Sequence, residues 1–232
     1  MHMADALLSP PVAATMYVAS GAAAAYSIIR VRKEDQSEKI PVMAVSAALV
    51  FAGQMINYTI PGTGSSGHLC GGMLLSALLG PEAGFLSMII VLLTQCLFFA
   101  DGGLMALGAN IWNMAFYGCF IGSCLIWNPI IRSRLFSGMG EKAGTRAKII
   151  LASILGCVLT LQLGAFSVVL ETTASGITEL PFAAFAGLMQ PIHLAIGLVE
   201  GLITSAVLCF VYETRPDLLQ GLDPAEGTSK FS

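Results

Sequence analysis

The sequence predicts an all-α integral membrane protein, built as a bundle of seven transmembrane helices. Two observations carry this prediction. First, hydrophobic residues make up 56% of the 232 residues and charged residues only 11%, whereas soluble domains contain about 25% charged residues. A chain with so little charge lacks the polar surface that a soluble protein of this size needs. Second, the basic residues cluster in a few of the connections between long apolar runs.

Six apolar runs, uncharged except for Glu200 in the last, are near or above the length of about 17–25 residues that a helix needs to cross a bilayer. They do not alternate between apolar and polar residues, so they are not membrane β-strands. A shorter seventh run, residues 69–80, lies between the second and the third of them. The long runs cover residues 12–29, 41–60, 83–100, 104–127, 149–170 and 185–212.

The basic residues predict the orientation of these runs, because cytoplasmic connections are rich in Lys and Arg. If residues 69–80 cross the membrane, all eleven Lys and Arg residues fall on one side. Otherwise the cluster between Arg132 and Lys148 would lie outside. We therefore expect seven crossings, with the N-terminus outside and the C-terminus in the cytoplasm. A single transmembrane domain would cover residues 1–215, and a cytoplasmic tail would cover residues 216–232.

The short seventh run needs help from the loop before it. Its twelve residues rise only about 18 Å as a helix, against a hydrocarbon core of about 30 Å. We therefore expect the stretch PGTGSSGH at residues 61–68 to dip into the membrane. Irregular backbone is tolerated at that depth only where it is buried in protein or lines a cavity. His68 would consequently lie inside the bundle.

The start of the chain, MHMADALL, carries the chemistry that points to a metal. Its first 29 residues contain no Lys or Arg and so lack the positive region of a signal peptide, and we expect Met1 to be the mature start. The Met1 amine, the His2 backbone nitrogen and the His2 imidazole can chelate one metal ion in a plane, and His68 can supply a fourth nitrogen. Four planar nitrogens suit nickel(II) or copper(II) better than tetrahedral zinc(II). The alternative is a histidine at position 2 without a function.

Polar residues inside the apolar runs are further candidates. His193 and Glu200 lie seven residues apart on one face of the last run. They could surround the metal, hold a water or pair within the bundle. Asn110 and Asn113 could join helices through hydrogen bonds or orient a ligating imidazole.

Residues near the outer side and in the first run have less specific roles. Asp5 could accept a hydrogen bond from a ligand histidine or cap the helix that follows. We expect Asp101 and Glu179 to be solvated charges of the outer loops. In the first run, pairs of small residues four apart allow close helix packing, either within the bundle or against another membrane protein. These pairs are Ala19/Ala23, Ser20/Ala24 and Gly21/Ala25.

The sequence argues against several classes of function. No basic stripe with interleaved aromatic residues suggests nucleic acid as a partner. The six cysteines form no CxxC pair and lie in apolar stretches, which is typical of buried small side chains rather than of disulfides. No Walker A sequence occurs, so the chain cannot power transport with ATP by itself.

Five motifs span nearly the whole chain: MHMADALL, GSSGHLCGG, GPEAGF, ALGANIWNMAFYG and PIHLAIGLVEGLIT. In this order they resemble the NikM/CbiM family, the substrate-binding S components of energy-coupling factor (ECF) nickel and cobalt transporters. The resemblance implies a seven-helix bundle with the N-terminus in its centre. It implies metal ligands that fall here on Met1, His2 and His68. With Met3 and Ala4 ahead of Asp5, the start of the chain resembles that of the nickel-type branch of the family.

The resemblance also implies a setting in the inner membrane of a bacterial or archaeal cell. Nickel(II) or cobalt(II) would be the transported substrate of a protein that is not an enzyme and has no catalytic cofactor. The implied partners are a transmembrane T component and two cytoplasmic ATPase subunits, with a small accessory membrane subunit as a further candidate. Two other classes stay open, a cation channel or carrier and an intramembrane metal-dependent hydrolase using His68, His193 and Glu200, although HExxH is absent.

Overall fold

The computed structural model describes residues 1–33, 39–178 and 180–222. Within these ranges seven helices pack into a bundle, with a short β-hairpin between the second and the third. Turns of 3₁₀-helix at Asp5–Leu7 and Pro216–Leu218 flank the bundle. The helices are α1 (Pro10–Lys33), α2 (Ile40–Gln54), α3 (Gly72–Leu79), α4 (Pro81–Phe99), α5 (Leu107–Ile131), α6 (Glu141–Ser175) and α7 (Phe182–Thr214).

Five of the helices, α1, α4, α5, α6 and α7, are long and apolar enough to cross a membrane. The structure is therefore that of a multi-pass membrane protein. The other two helices are shorter, with 15 residues in α2 and eight in α3. Seven crossings and the orientation of the termini stay predictions.

The second predicted run differs from the structure. Residues 41–60 were expected to form one span, but α2 ends at Gln54. The strands β1 (Tyr58–Ile60) and β2 (Ser65–Gly67) then pair antiparallel, with Ile60 opposite Ser65. The residues between the helix and the hairpin carry no charge that would mark a boundary in the sequence, and the helix ends six residues, nearly two turns, earlier than expected. The hairpin leads directly to His68 and α3.

The helix α3 lies in the middle of the bundle, since all eight of its residues are buried. Glycines allow this position. A Cβ added to Gly72 would lie 2.8 Å from the Cα of Gly118 in α5, so these two backbones touch. The middle of α5, Ile111–Trp127, has the wider turn of a π-helix. Such turns are rare in proteins, and those that occur are often found at functional sites.

Residues 216–222, which the sequence assigns to the tail, pack against the end of α3. The backbone N–H of Gln220 donates to the carbonyl of Ala77 at 2.9 Å. Trp127 Nε1 donates to the carbonyl of Gln220 at 3.0 Å. The first of these bonds satisfies one of the carbonyls that the end of a helix leaves open. The rest of the predicted tail, residues 223–232, lies outside the described residues.

Candidate metal centre

The first residues of the chain fold into the bundle and are held there by α5. Met1 and Met3 are completely buried, and His2 is 4% exposed. Asn110 holds the backbone of Met3 on both sides, since its Oδ1 accepts from Met3 N at 2.8 Å and its Nδ2 donates to Met3 O at 3.3 Å. Gly103 N also donates to Met3 O, at 2.8 Å. Buried main-chain groups require such partners, so these bonds fix the N-terminal segment.

The Met1 amine lies beside the ring of His68. The amine nitrogen is 3.0 Å from His68 Nε2, and the amine also donates to the carbonyl of Ser66. On the other side of the ring, His68 Nδ1 lies 2.6 Å from the carbonyl oxygen of Leu69. A carbonyl only accepts hydrogen bonds, so Nδ1 carries the ring hydrogen. Nε2 therefore presents its lone pair to the amine.

His2 completes this group of residues. Its ring stacks on the ring of His68, with centroids 4.5 Å apart and planes inclined by 22°. Its carbonyl accepts a hydrogen bond from Ser65 Oγ at 3.1 Å. The structure thus brings Met1, His2 and His68 together, although the sequence separates the last from the first two by the whole of α1, α2 and the hairpin.

Burial keeps the nitrogen atoms of this group uncharged. Desolvation lowers the pKa of the Met1 amine from 8.0 to about 5. Desolvation, with repulsion from the amine and from the His2 ring, holds the pKa of His68 well below 6.5. Desolvation also lowers the pKa of His2. The three nitrogens consequently have free lone pairs at neutral pH, which metal binding requires.

One distance in this group is compatible with two neighbouring ligands of a metal ion. Neighbouring ligands of a square with metal–nitrogen distances of about 2.0–2.1 Å lie about 2.8–3.0 Å apart. The amine and His68 Nε2 already have this spacing. Within the described ranges, no group of three or more His, Cys, Asp or Glu side chains could hold a metal ion. A metal here would therefore depend on the main-chain nitrogens of Met1 and His2.

The expectation for Asp101 is wrong, because this residue is not a solvated loop charge. Its Oδ1 lies 3.2 Å from His2 Nδ1, and its side chain is 15% exposed. Asn57 Nδ2 donates to its Oδ2 at 2.8 Å. Burial acts to raise the pKa of Asp101, but the His2 ring, the Met1 amine and the hydrogen bond from Asn57 together outweigh it and lower the pKa, so the carboxylate is ionised. Asp101 meets His2 only because the N-terminus folds in.

Asp5 has neither of the roles that the sequence offered. Its Oδ1 accepts a hydrogen bond from the backbone N–H of Ala106, at 3.0 Å. Asp5 therefore ties the N-terminal segment to the start of α5, which lies far away in the sequence. Glu179, the other charge expected in an outer loop, lies outside the described residues.

Asn113 joins two helices, which is one of the two roles that the sequence offered. Its Nδ2 donates to Glu171 Oε2 of α6 at 2.8 Å and lies 3.7 Å from the sulfur of Met3. Sequence reasoning missed Glu171 because it follows directly on the uncharged run 149–170. An acidic residue at the end of such a run was the signal that could have found it. Glu171 is 7% exposed, so it is buried in the bundle and is not a charge of a solvated loop.

His193 and Glu200 do not join Met1, His2 and His68. Glu200 accepts hydrogen bonds from the backbone N–H groups of Cys70 at 2.5 Å and Gly71 at 2.9 Å. It therefore fixes the loop that carries His68. His193 is buried, and its Nδ1 lies 2.8 Å from the carbonyl oxygen of Met189 in its own helix. Since the carboxylate of Glu200 is occupied by backbone amides, the geometry gives no support to a hydrolase site.

Comparison with known proteins gives consistent matches over nearly the whole chain. Residues 2–218 match the CbiM family, described as "Cobalt uptake substrate-specific transmembrane region". A putative fused nickel transport protein NikMN of Archaeoglobus fulgidus is 36% identical over 220 residues, which cover 95% of this chain and 68% of that protein. The cobalt transport protein CbiM of Sorangium cellulosum is 30% identical, over 86% of this chain and 85% of its own.

Solved structures agree with the sequence comparisons. The crystal structure of a truncated transition metal transporter superposes with a TM-score of 0.78 at 31% sequence identity, and the match covers 92% of this chain and 99% of the other. A second transition metal transporter gives the same TM-score at 29% identity.

Proposed function

Because the chain belongs to the CbiM family, we propose that it is the substrate-binding membrane subunit of an ECF-type importer for nickel(II) or cobalt(II). The relatives named above are nickel and cobalt transport proteins, and none is named as an enzyme. In this proposal the metal is the transported substrate and the protein has no catalytic activity.

The observation that carries the proposal is the buried pair of the Met1 amine and His68 Nε2, 3.0 Å apart. The ion would bind the amine, the His2 backbone nitrogen, a ring nitrogen of His2 and His68 Nε2. Such a planar, all-nitrogen set suits nickel(II) or copper(II), and nickel is the one of these two metals for which a relative is named. The His2 amide must lose its hydrogen to bind, and this adds one negative charge beside the dication.

Transport requires partners in this proposal, because the chain contains no Walker A sequence. A transmembrane T component and two cytoplasmic ATPase subunits would supply the energy, and a small accessory membrane subunit is a further partner. Gly21 and Ala25 of α1 are exposed, and small residues on an outward face allow another helix to approach closely. The protein would lie in the inner membrane of a bacterium or archaeon and take the metal from outside.

The proposal is tested by titrating the purified protein with nickel(II) in a calorimeter. Three variants remove one ligand each: His2→Ala, His68→Ala, and a chain with one extra residue ahead of Met1. We expect each to lose nearly all affinity. Intact mass measurement must show that the unmodified preparation starts at Met1 with a free amine. A d–d absorption band of planar, low-spin nickel would support the geometry.

A matched control is His193→Gln, which removes the third histidine of the chain without touching the proposed ligands. This variant should bind nickel like the unmodified protein. If the extended chain binds nickel with undiminished affinity, the amine is not a ligand and the planar site is wrong. Titration with cobalt(II) under the same conditions decides which metal binds more tightly.

A further inference from the structure

We propose that Asp101 is a positioning residue for metal capture, which holds the His2 ring by one nitrogen in the empty protein and by the other nitrogen once the metal is bound. The inference rests on the proposed function, because it gives Asp101 this role only where His2 is a ligand. It makes Asp101 a partner of the site without making it a ligand.

Three separate parts of the chain hold Asp101, two at its carboxylate and one at its main chain. One oxygen faces His2 Nδ1 at 3.2 Å, and the other accepts from Asn57 Nδ2 at 2.8 Å. The backbone N–H of Asp101 donates to the carbonyl of Gln95 at 3.1 Å. The preceding Ala100 has a φ of +53°, a conformation that is costly for a residue other than glycine. The end of α4 is thus turned to present Asp101 to His2.

The ring of His2 is free to change its partner. Neither of its ring nitrogens has a well-aligned hydrogen-bond partner within the described part of the chain, although the residue is 4% exposed. An ionised carboxylate only accepts, so a His2 ring that faces Asp101 with Nδ1 carries its hydrogen there. A chelate with the Met1 amine and the His2 backbone nitrogen requires the same Nδ1 as a ligand. Nδ1 must therefore leave Asp101 and lose its hydrogen before the metal binds.

A half-turn of the ring about the Cβ–Cγ bond resolves this conflict. It exchanges Nδ1 with Cδ2 and Nε2 with Cε1. Nε2 then occupies the position beside the one that Nδ1 left, still next to Asp101. Nδ1 gives its hydrogen to solvent and Nε2 takes one from solvent, so the exchange of tautomers consumes no net proton. The loaded ring would bind the metal through Nδ1 and donate Nε2–H to the carboxylate, as metal-bound histidines usually do.

Asp101 also lies on the route by which an ion reaches His2. A cleft of about 330 Å³ leads to the His2 ring between the N-terminal segment, the hairpin and the connection from α4 to α5. Its charged lining side chains are Asp5 and Asp101. Both are acidic, so the cleft attracts cations. Only Asp101 touches His2, whereas Asp5 bonds to Ala106.

This difference supplies a matched pair of variants for nickel titration of the full-length protein. Asp101→Asn and Asp5→Asn each remove one negative charge from the same cleft and keep the shape of the side chain. We expect Asp101→Asn to lower nickel affinity by about 10–100-fold, the usual effect of losing a partner of a metal-bound histidine. Asp5→Asn should lower it by less than about threefold, because Asn keeps an oxygen that accepts from the Ala106 N–H and the lost charge is exposed and screened by salt.

Two further measurements separate positioning from a merely structural role. Asn57→Ala keeps the carboxylate of Asp101 but removes the hydrogen bond that fixes it. We therefore expect a loss of nickel affinity between those of the two aspartate variants. Planar low-spin nickel is diamagnetic, so the His2 Nε2–H of the loaded protein can be followed by ¹⁵N NMR. Its hydrogen should exchange slowly with solvent in the unmodified protein and rapidly in Asp101→Asn.

Equal losses in Asp101→Asn and Asp5→Asn would overturn the inference, since the effect would then be electrostatic attraction alone. Unchanged affinity of Asp101→Asn, or equal exchange of Nε2–H in both proteins, would also overturn it, while the planar site would stand. An unmodified protein that binds no nickel, or an extended chain that binds it well, would instead refute the proposed function and this inference with it.

Discussion

Replacing Asn110 by alanine should loosen the N-terminal segment and weaken nickel binding without touching a proposed ligand. Asn110 is 1% exposed and holds both backbone groups of Met3. In the variant Met3 O keeps its bond from Gly103 N, but Met3 N loses its partner. A buried donor left without a partner costs about 1–3 kcal/mol.

This cost converts into a change in binding. Each 1.4 kcal/mol is tenfold in an equilibrium constant, so the ratio of docked to undocked segment should fall by about 5- to 150-fold. Nickel affinity falls by up to the same factor once the undocked state dominates, because only the docked segment brings the amine to His68. Calorimetry measures the affinity, and hydrogen–deuterium exchange of the first residues measures the docking.

Asn128→Ala is the matched control for Asn110→Ala. Asn128 lies at the other end of α5, is half-buried and makes a comparable side-chain bond, to Ser123 Oγ at 3.3 Å. This variant should bind nickel normally and show unchanged exchange at the N-terminus. If Asn110→Ala also keeps its affinity and its protection from exchange, the bonds to Met3 do not hold the segment, and the account of the site is wrong.

Three other predictions concern the same region. Nickel binding at pH 7 should release about one proton, from the chelated amide, because the buried Met1 amine has a pKa of about 5 and is already neutral. Calorimetry in buffers of different ionisation enthalpy measures the number of protons released. A release of two protons would contradict a buried, neutral amine. Gly164→Ala should destabilise the protein in thermal melting, because a Cβ there would clash with the backbone carbonyl oxygen of Asn113 and lie 2.9 Å from the Met1 sulfur, while Gly187→Ala, with nothing within 4 Å, should not. Glu200→Gln keeps one acceptor oxygen for the two backbone donors, Cys70 N and Gly71 N. We therefore expect the free energy of unfolding, measured with denaturant, to fall by about 1–3 kcal/mol. An unchanged unfolding midpoint would show that these bonds do not hold the loop.

The helices of the bundle could largely be predicted from the sequence, because an uncharged run of sufficient length has few other structures available in a membrane. The resemblance to the NikM/CbiM family is confirmed by the match over residues 2–218. The end of α2 could not be predicted. The helix ends at Gln54, but the uncharged run in the sequence continues through residues 55–60. Composition alone does not separate the last turn of a helix from an apolar strand.

The polar contacts around the site were harder to predict than its centre. The chelating potential of Met1 and His2 is a local property of two neighbouring residues, so the sequence displays it. Asp101 and Glu171 act on residues about 100 and more than 50 positions away, respectively. Their position at the end of an apolar run makes both residues candidates, but a solvated charge at the end of a helix has the same sequence neighbourhood, so the run does not identify their partners.

The buried amine couples the docking of the N-terminal segment to pH and to metal. An undocked amine has the ordinary pKa of 8.0, against about 5 in the docked state, so between these values the undocked state binds more protons and docking becomes more favourable as pH rises. At pH 7 the loss of the proton costs about 1.4 kcal/mol, one pKa unit. A bound metal requires the same neutral amine and therefore favours the docked state. Acetylation of Met1 would remove both effects, so the acetylated protein should not bind nickel, and the protection of its N-terminus from exchange should not change between pH 7 and 8, above the ordinary pKa of the two histidines.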